Sequence, residues 1–141
     1  MPDDASVTAP RARLAERVRH ALESGDLSAI RDLLDPGARW GAPEGPNDSD
    51  CRNRDQIAAW WGRAQAAGMR AVVTELVVGA HALLVGLDVT RPPAAGGDGS
   101  TEERWQVLTV REDRITDIRG YEDRAVAAER AGLPPGQDGL V

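Results

Sequence analysis

Met69–Val78 (MRAVVTELVV), the short connection Gly79-Ala80-His81, and Ala82–Thr90 (ALLVGLDVT) form the stretch whose reading decides the fold. Both flanks are rich in Val and Leu, residues that fit a pleated surface, and three residues between them suffice only for a tight connection. The stretch therefore reads as a β-hairpin. Downstream, Arg91 to Ser100 contains two prolines and three glycines and reads as a loop. Glu103 to Val110 and Arg114 to Tyr121 then read as a second strand pair turning at Glu112-Asp113, and Asp123 can cap a helix running through Ala131. Upstream the apolar period changes to that of helices. Leu14, Val18, Ala21 and Leu22 predict a helix over 11–24, stopped by Gly25. Leu27, Ile30, Leu33 and Leu34 predict a second, capped by Asp26 and ended by Pro36-Gly37. Ile57, Trp60, Trp61 and Ala64 predict a third over 52–67, ended by Gly68. Between the second and third, Ala38 to Ala42 reads as a short strand and Pro43 to Asp50 as a loop. Helices first and strands after give an α+β arrangement: a curved antiparallel sheet with helices covering one face.

The composition narrows the function classes. With 141 residues the chain has the length of one domain, and 41% apolar with 28% charged residues is a globular balance. No apolar run approaches the length of a bilayer span, and the first residues lack the basic and apolar regions of a secretory signal, so a cytoplasmic protein with no membrane partner is expected. The formal charge is −6 and the arginines are scattered, which argues against a nucleic-acid partner. One cysteine, Cys51, and two histidines, His20 and His81, are too few soft ligands for a structural zinc site, so no metal is expected. Lysine and phenylalanine are absent, as G+C-rich codons would produce, and Tyr121 is the only tyrosine. Any aromatic wall must therefore be built mostly from the four tryptophans.

Three runs carry a resemblance: Ala21–Ile30 (ALESGDLSAI), Asn53–Trp61 (NRDQIAAWW) and Asp113–Tyr121 (DRITDIRGY). The chain resembles the nuclear transport factor 2-like superfamily, which includes ketosteroid isomerase and the SnoaL-like polyketide cyclases. The resemblance spans about Arg11 to Leu133. It implies a cone-shaped barrel whose wide mouth opens on an apolar pocket, in one domain over 11–133. Residues 1–10, polar and without periodicity, are expected to be a disordered lead-in, and 134–141 a flexible tail. The resemblance carries no catalytic set with it. The base and the two oxyanion donors of the isomerase fall on Ala42, Val18 and Gln106; an alanine cannot accept a proton and a valine cannot donate a hydrogen bond, so isomerisation by that mechanism is not expected. No cofactor is implied.

With the sheet face taken from the resemblance, Trp40, Ala42, Val85, Leu87, Val89, Gln106, Leu108, Val110, Ile118, Gly120 and Glu122 point inward, with Trp60 and Trp61 above them. The tryptophans can be the wall of a ligand pocket or simply core. Neighbours on a helix are about 100° apart, so Trp60 and Trp61 cannot share one direction. Glu122 is the candidate catalytic group, since a carboxylate under an apolar roof has a raised pKa suited to acid or base work; a solvated strand end is the alternative. Gln106 needs a partner, which a ligand carbonyl or another side chain can supply. Cys51 and the two histidines read as inert or solvated.

The leading functional reading is a bacterial accessory protein of secondary metabolism that binds a small apolar, polycyclic or polyketide-like molecule. The second is a cofactor-independent cyclase, isomerase or hydrolase using Glu122, Asp48 or Asp50. The third is a dimeric interaction module without ligand. A homodimer is expected through the outer sheet face, where Trp105, Val107 and Thr109 point away from the pocket.

Overall fold

The hairpin and the strand pair join into one sheet. In the computed structural model, which describes residues 2–42, 51–79 and 82–133, β2 (Arg70–Val78) pairs antiparallel with β3 (Ala82–Thr90), β3 with β4 (Thr101–Arg111), and β4 with β5 (Arg114–Tyr121). Glu112 and Asp113 both take positive φ, 53° and 65°, the conformation that a two-residue hairpin turn requires. The fifth strand, β1 (Leu34–Gly41), lies at the other edge and runs parallel to β5, giving the order β1-β5-β4-β3-β2. Two expectations are corrected here. The sheet is mixed, not all antiparallel, because β1 reaches β5 through long intervening chain and no hairpin forces its direction. It is also open, since β1 and β2 are its edges and do not pair with each other.

The expected helices are present with altered ends. The first, α1 (Pro2–Ser24), starts well before Arg11. Apolar spacing marks where a helix buries a face, not where its ladder begins, and Pro2 at the first position gives up an N–H that would have had no partner. Among the residues whose side chains are described, α1 buries Leu14, Ala15, Val18 and Ala21. In α2 (Leu27–Leu33) the Asp26 carboxylate accepts from the amides of Ser28 and Ala29 at 3.0 and 3.2 Å, as the capping signal predicts. Leu34 leaves the helix and opens β1, which runs on through Pro36-Gly37 as an irregularity in the pairing with β5. Pro36 has no N–H for a ladder, so the pairing slips there. At the start of α3 (Arg54–Ala66) Asn53 accepts from Gln56 N at 2.9 Å while the Gln56 side chain accepts from Arg52 N at 2.6 Å, a reciprocal cap.

The third correction concerns coverage. The helices α1, α2 and α3 pack with Leu83, Val85, Leu87, Val89, Leu108 and Ile118 on one face of the sheet. A second cluster forms on the opposite face, where α4 (Arg124–Ala131) lays Ala127 and Ala131 against Ala82, Leu84, Val107 and Tyr121. Hence β3 is buried on both faces over Ala82–Leu87. This covering removes the physical reason given for a homodimer: Val107 is buried beneath a helix of its own chain, Trp105 is half-buried, and Thr109 alone of the three is exposed.

Candidate functional site

Three tryptophans, Trp40, Trp60 and Trp61, meet at the end of the sheet where β5 ends, and Trp105 lines the same cavity from the other sheet face. Trp40 comes from β1, and its backbone exchanges both hydrogen bonds with Cys51, at 3.0 and 2.9 Å, so the residues leading into α3 are tied to the strand that carries it. Trp60 and Trp61 follow on α3. Their rings lie 4.8 and 5.6 Å from that of Trp40, the first pair edge-on at 73°. Such geometry suits the aromatic quadrupole and holds the cluster in one arrangement. Trp105 belongs to the outer face of β4 and lies over Gly86, where a Cβ would stand 2.5 Å from its ring.

These residues line a cavity of about 770 Å³, together with Met69, Leu87, Val89 and Gln106. The β1–β5 pairing ends at Gly41 opposite Arg119, so among the described residues no strand lies beyond Gly120 to Glu122 on that side, and residues of both sheet faces reach the cavity. Arg119 holds this corner: it donates to both oxygens of Asp117, at 3.0 and 2.9 Å, and to the carbonyl of Ala42 at 3.1 Å. Behind the first cavity lies a small void of about 40 Å³, lined by Val18, Leu33, Ile57, Leu108, Ile118 and other core side chains. Trp40, Trp61 and Gln106 line both spaces and so form the partition between them.

Of the residues expected from the sequence, Trp40, Ala42, Trp60, Trp61, Leu87, Gln106 and Glu122 line the outer cavity. Leu108 and Ile118 line the inner void, and Val85 lines neither, being wholly buried deeper on the same face. Trp60 and Trp61 both reach the cavity despite their angular separation; Trp61 is buried and serves as core as well, and Trp60 is half-buried. Ala42, at the expected position of an isomerase base, presents only a methyl group.

Glu122 does not sit under an apolar roof. Its side chain is 84% exposed and accepts from Arg104 Nη1 at 3.0 Å. Arg104 also donates to Glu102 at 2.8 Å, and this bond, with the weaker help of Glu122, holds the guanidinium more firmly charged than usual while partial burial works in the opposite direction. His81, Asp48 and Asp50 lie outside the described residues. Among the described residues no three His, Cys, Asp or Glu side chains gather in a metal-binding group, and no helix is long and apolar enough to cross a membrane.

Sequence reasoning missed Arg91 and Arg104, which line the mouth. The signal was available: Val85, Leu87 and Val89 alternate on to Arg91, and Leu87 pairs with Arg104 across β3 and β4, so the inner face continues into arginine where the apolar run stops.

The SnoaL-like domain family matches residues 15–118, and the chain belongs to it. No curated protein matches the chain. Among solved structures it is similar to Bal32a, from a soil-derived mobile gene cassette, at 22% identity over 86% of this chain and 95% of that one, with a TM-score of 0.67. It is also similar to a nuclear transport factor 2-like protein of unknown function from Mesorhizobium loti, at 17% identity over 82% and 92%, TM-score 0.65. A candidate polyketide cyclase from Xanthomonas campestris pv. campestris matches at 17% identity over 88% and 98%, TM-score 0.63. At these identities the likeness is one of fold, and function has to be argued from the site.

Proposed function

We propose that this chain binds a flat apolar small molecule, polycyclic or polyketide-like, in the outer cavity, as an accessory protein of bacterial secondary metabolism. The observation that carries the reading is a space of about 770 Å³ walled by four tryptophans with Gln106 set among them. That volume is within the range of small-molecule sites, and the apolar wall is flanked by the charged side chains of Arg91, Arg104, Glu122, Asp123 and Arg130. Flat ligands suit the wall, since ring faces and edges offer stacking beyond mere area burial. A candidate polyketide cyclase among the structures of like fold supports the ligand class.

The experiment is a titration of intrinsic tryptophan fluorescence with a panel of polycyclic aromatics and sterols. Affinities of micromolar or tighter are expected, weakened about tenfold or more in Trp40→Ala and Trp60→Ala, because each truncation removes an aromatic anchor. Unchanged emission across the panel would end the reading.

An enzymatic reading through Glu122 has less support, because that carboxylate is solvated and already engaged by Arg104. Glu122→Gln separates the two: a binder keeps its affinity, whereas an enzyme using this group loses turnover. Under the binding reading no second subunit is needed to complete the wall, and the homodimer stands as a separate proposal for sedimentation analysis.

A further inference from the structure

We infer that Arg91, at the mouth of the outer cavity, is the anchor for an anionic group, so that the ligand is a polycyclic acid whose apolar body lies against the tryptophans and whose carboxylate reaches the rim. The inference rests on the binding reading above and adds the charge that the ligand carries. Among the described residues three arginines line the cavity, Arg91, Arg104 and Arg130, with two acids, Glu122 and Asp123. Their pairings leave the balance positive. Arg104 donates to Glu122 at 3.0 Å and to Glu102 at 2.8 Å, so its charge is met twice over and Glu122 is engaged in doing so. The Asp123 carboxylate accepts from the amide of Ala125 at 2.8 Å as the cap of α4. Arg130 is exposed in the last turn of the same helix, where the free carbonyls favour a cation. Arg91 has no such account: it is half-buried, and its guanidinium has no hydrogen bond or ion pair among the described residues. The segment after it folds back to hold it in place. The Arg91 carbonyl accepts from Gly99 N at 2.9 Å, that of Pro92 accepts from Ala95 N and Gly97 N at 2.8 and 3.1 Å, and a Cβ on Gly97 would stand 2.4 Å from the Cβ of Arg91. The backbone is fixed while the charge it carries is uncommitted. Beside the cavity, Arg91, Arg104 and Val89 also line a cleft of about 450 Å³, whose acids are likewise engaged, Glu102 by Arg104 and Asp98 by the amide and hydroxyl of Ser100. A guanidinium only donates, stays charged, and matches a carboxylate through two parallel N–H···O bonds. With Leu87 and Val89 leading up to it, the wall describes an amphipathic ligand, flat and apolar within and anionic at the open end.

The test compares pyrene-1-carboxylate with pyrene-1-carboxamide at neutral pH, two compounds of one shape that differ by a full negative charge. Equilibrium dialysis of the full chain measures both affinities, and their ratio cancels the contribution of the ring system. The wild type should favour the acid about tenfold, and Arg91→Gln should bring the ratio close to one, with Arg91→Lys in between because an ammonium keeps the charge without the fork. Arg111 is exposed and does not line the cavity. Arg111→Gln makes the same change in net charge there and should leave the ratio within about twofold of wild type. A second readout needs no variant: phenylglyoxal modifies arginines, and mass mapping of the wild-type chain should show Arg91 protected by the acid and not by the amide. If both compounds bind alike in wild type, or if Arg91→Gln and Arg111→Gln lower the ratio equally, the inference is overturned and the binding reading stands. Should the pyrene pair fail while neutral members of the wider panel bind, the inference alone falls; should nothing bind, both fall together.

Discussion

Gly86 and Gly120 face each other in consequence though both lie in strands of one sheet. A Cβ on Gly86 would stand 2.5 and 2.8 Å from ring atoms of Trp105 and 3.0 Å from Thr74 Oγ1, whereas one on Gly120 meets nothing within 4 Å. Gly86→Ala therefore has to displace a wall residue of the cavity, and overpacking of this kind costs about 1–3 kcal/mol. Gly120→Ala should stay within about 0.5 kcal/mol of wild type. Urea unfolding of the two variants checks the contrast, and equal midpoints would mean that Trp105 is free to swing off the sheet.

At the scale of elements, α4 is the one whose attachment has an identifiable lock. Arg124 donates to both oxygens of Glu75 on β2, at 2.8 and 2.6 Å, with each side chain about three-quarters buried. Glu75 reaches that face because the β2 register shifts between Val73 and Glu75, which moves the alternation by one residue. A bidentate, partly buried pair exceeds an ordinary surface ion pair, so Arg124→Ala should cost about 1–2 kcal/mol. Faster amide exchange in 124–131 than in α3 would confirm that the loss is local to α4. The opposite end of the chain should respond differently. Residues 1–9 carry no apolar period with which to dock, so removing them is expected to leave the thermal midpoint unchanged. A loss above about 1 kcal/mol would show that this segment packs on the domain.

For the whole molecule, the second cluster bears on how the chain associates. Ala82, Leu84, Val107 and Tyr121 form an apolar sheet face that α4 covers within the chain. A chain ending at Asp123 leaves that face in water, and it should self-associate or precipitate at concentrations where the full chain sediments as a single small species. Sedimentation velocity of both chains provides the comparison. Identical behaviour would mean that α4 is dispensable to the sheet.

Local rules were enough for some of this protein. The Val- and Leu-rich run Ala82–Thr90, the turn at Glu112-Asp113 and the caps at Asp26 and Asp123 each depend on a few neighbouring residues, so they were legible without the fold. So was the aromatic character of the site, because a chain with four tryptophans, one tyrosine and no phenylalanine has little else to build a wall from. Tertiary structure alone decided the rest. Where β1 pairs is a matter of long-range closure, and nothing in Leu34–Gly41 encodes a parallel partner. The two-sided burial of β3 depends on α4, whose alanines look inconspicuous until they meet Leu84 and Val107. The exposure of Glu122 and the unpartnered N–H of Trp61 among the described residues are set by which side chains surround each. Burial and partnership are properties of the packed neighbourhood, and a residue carries no record of that neighbourhood in its own identity.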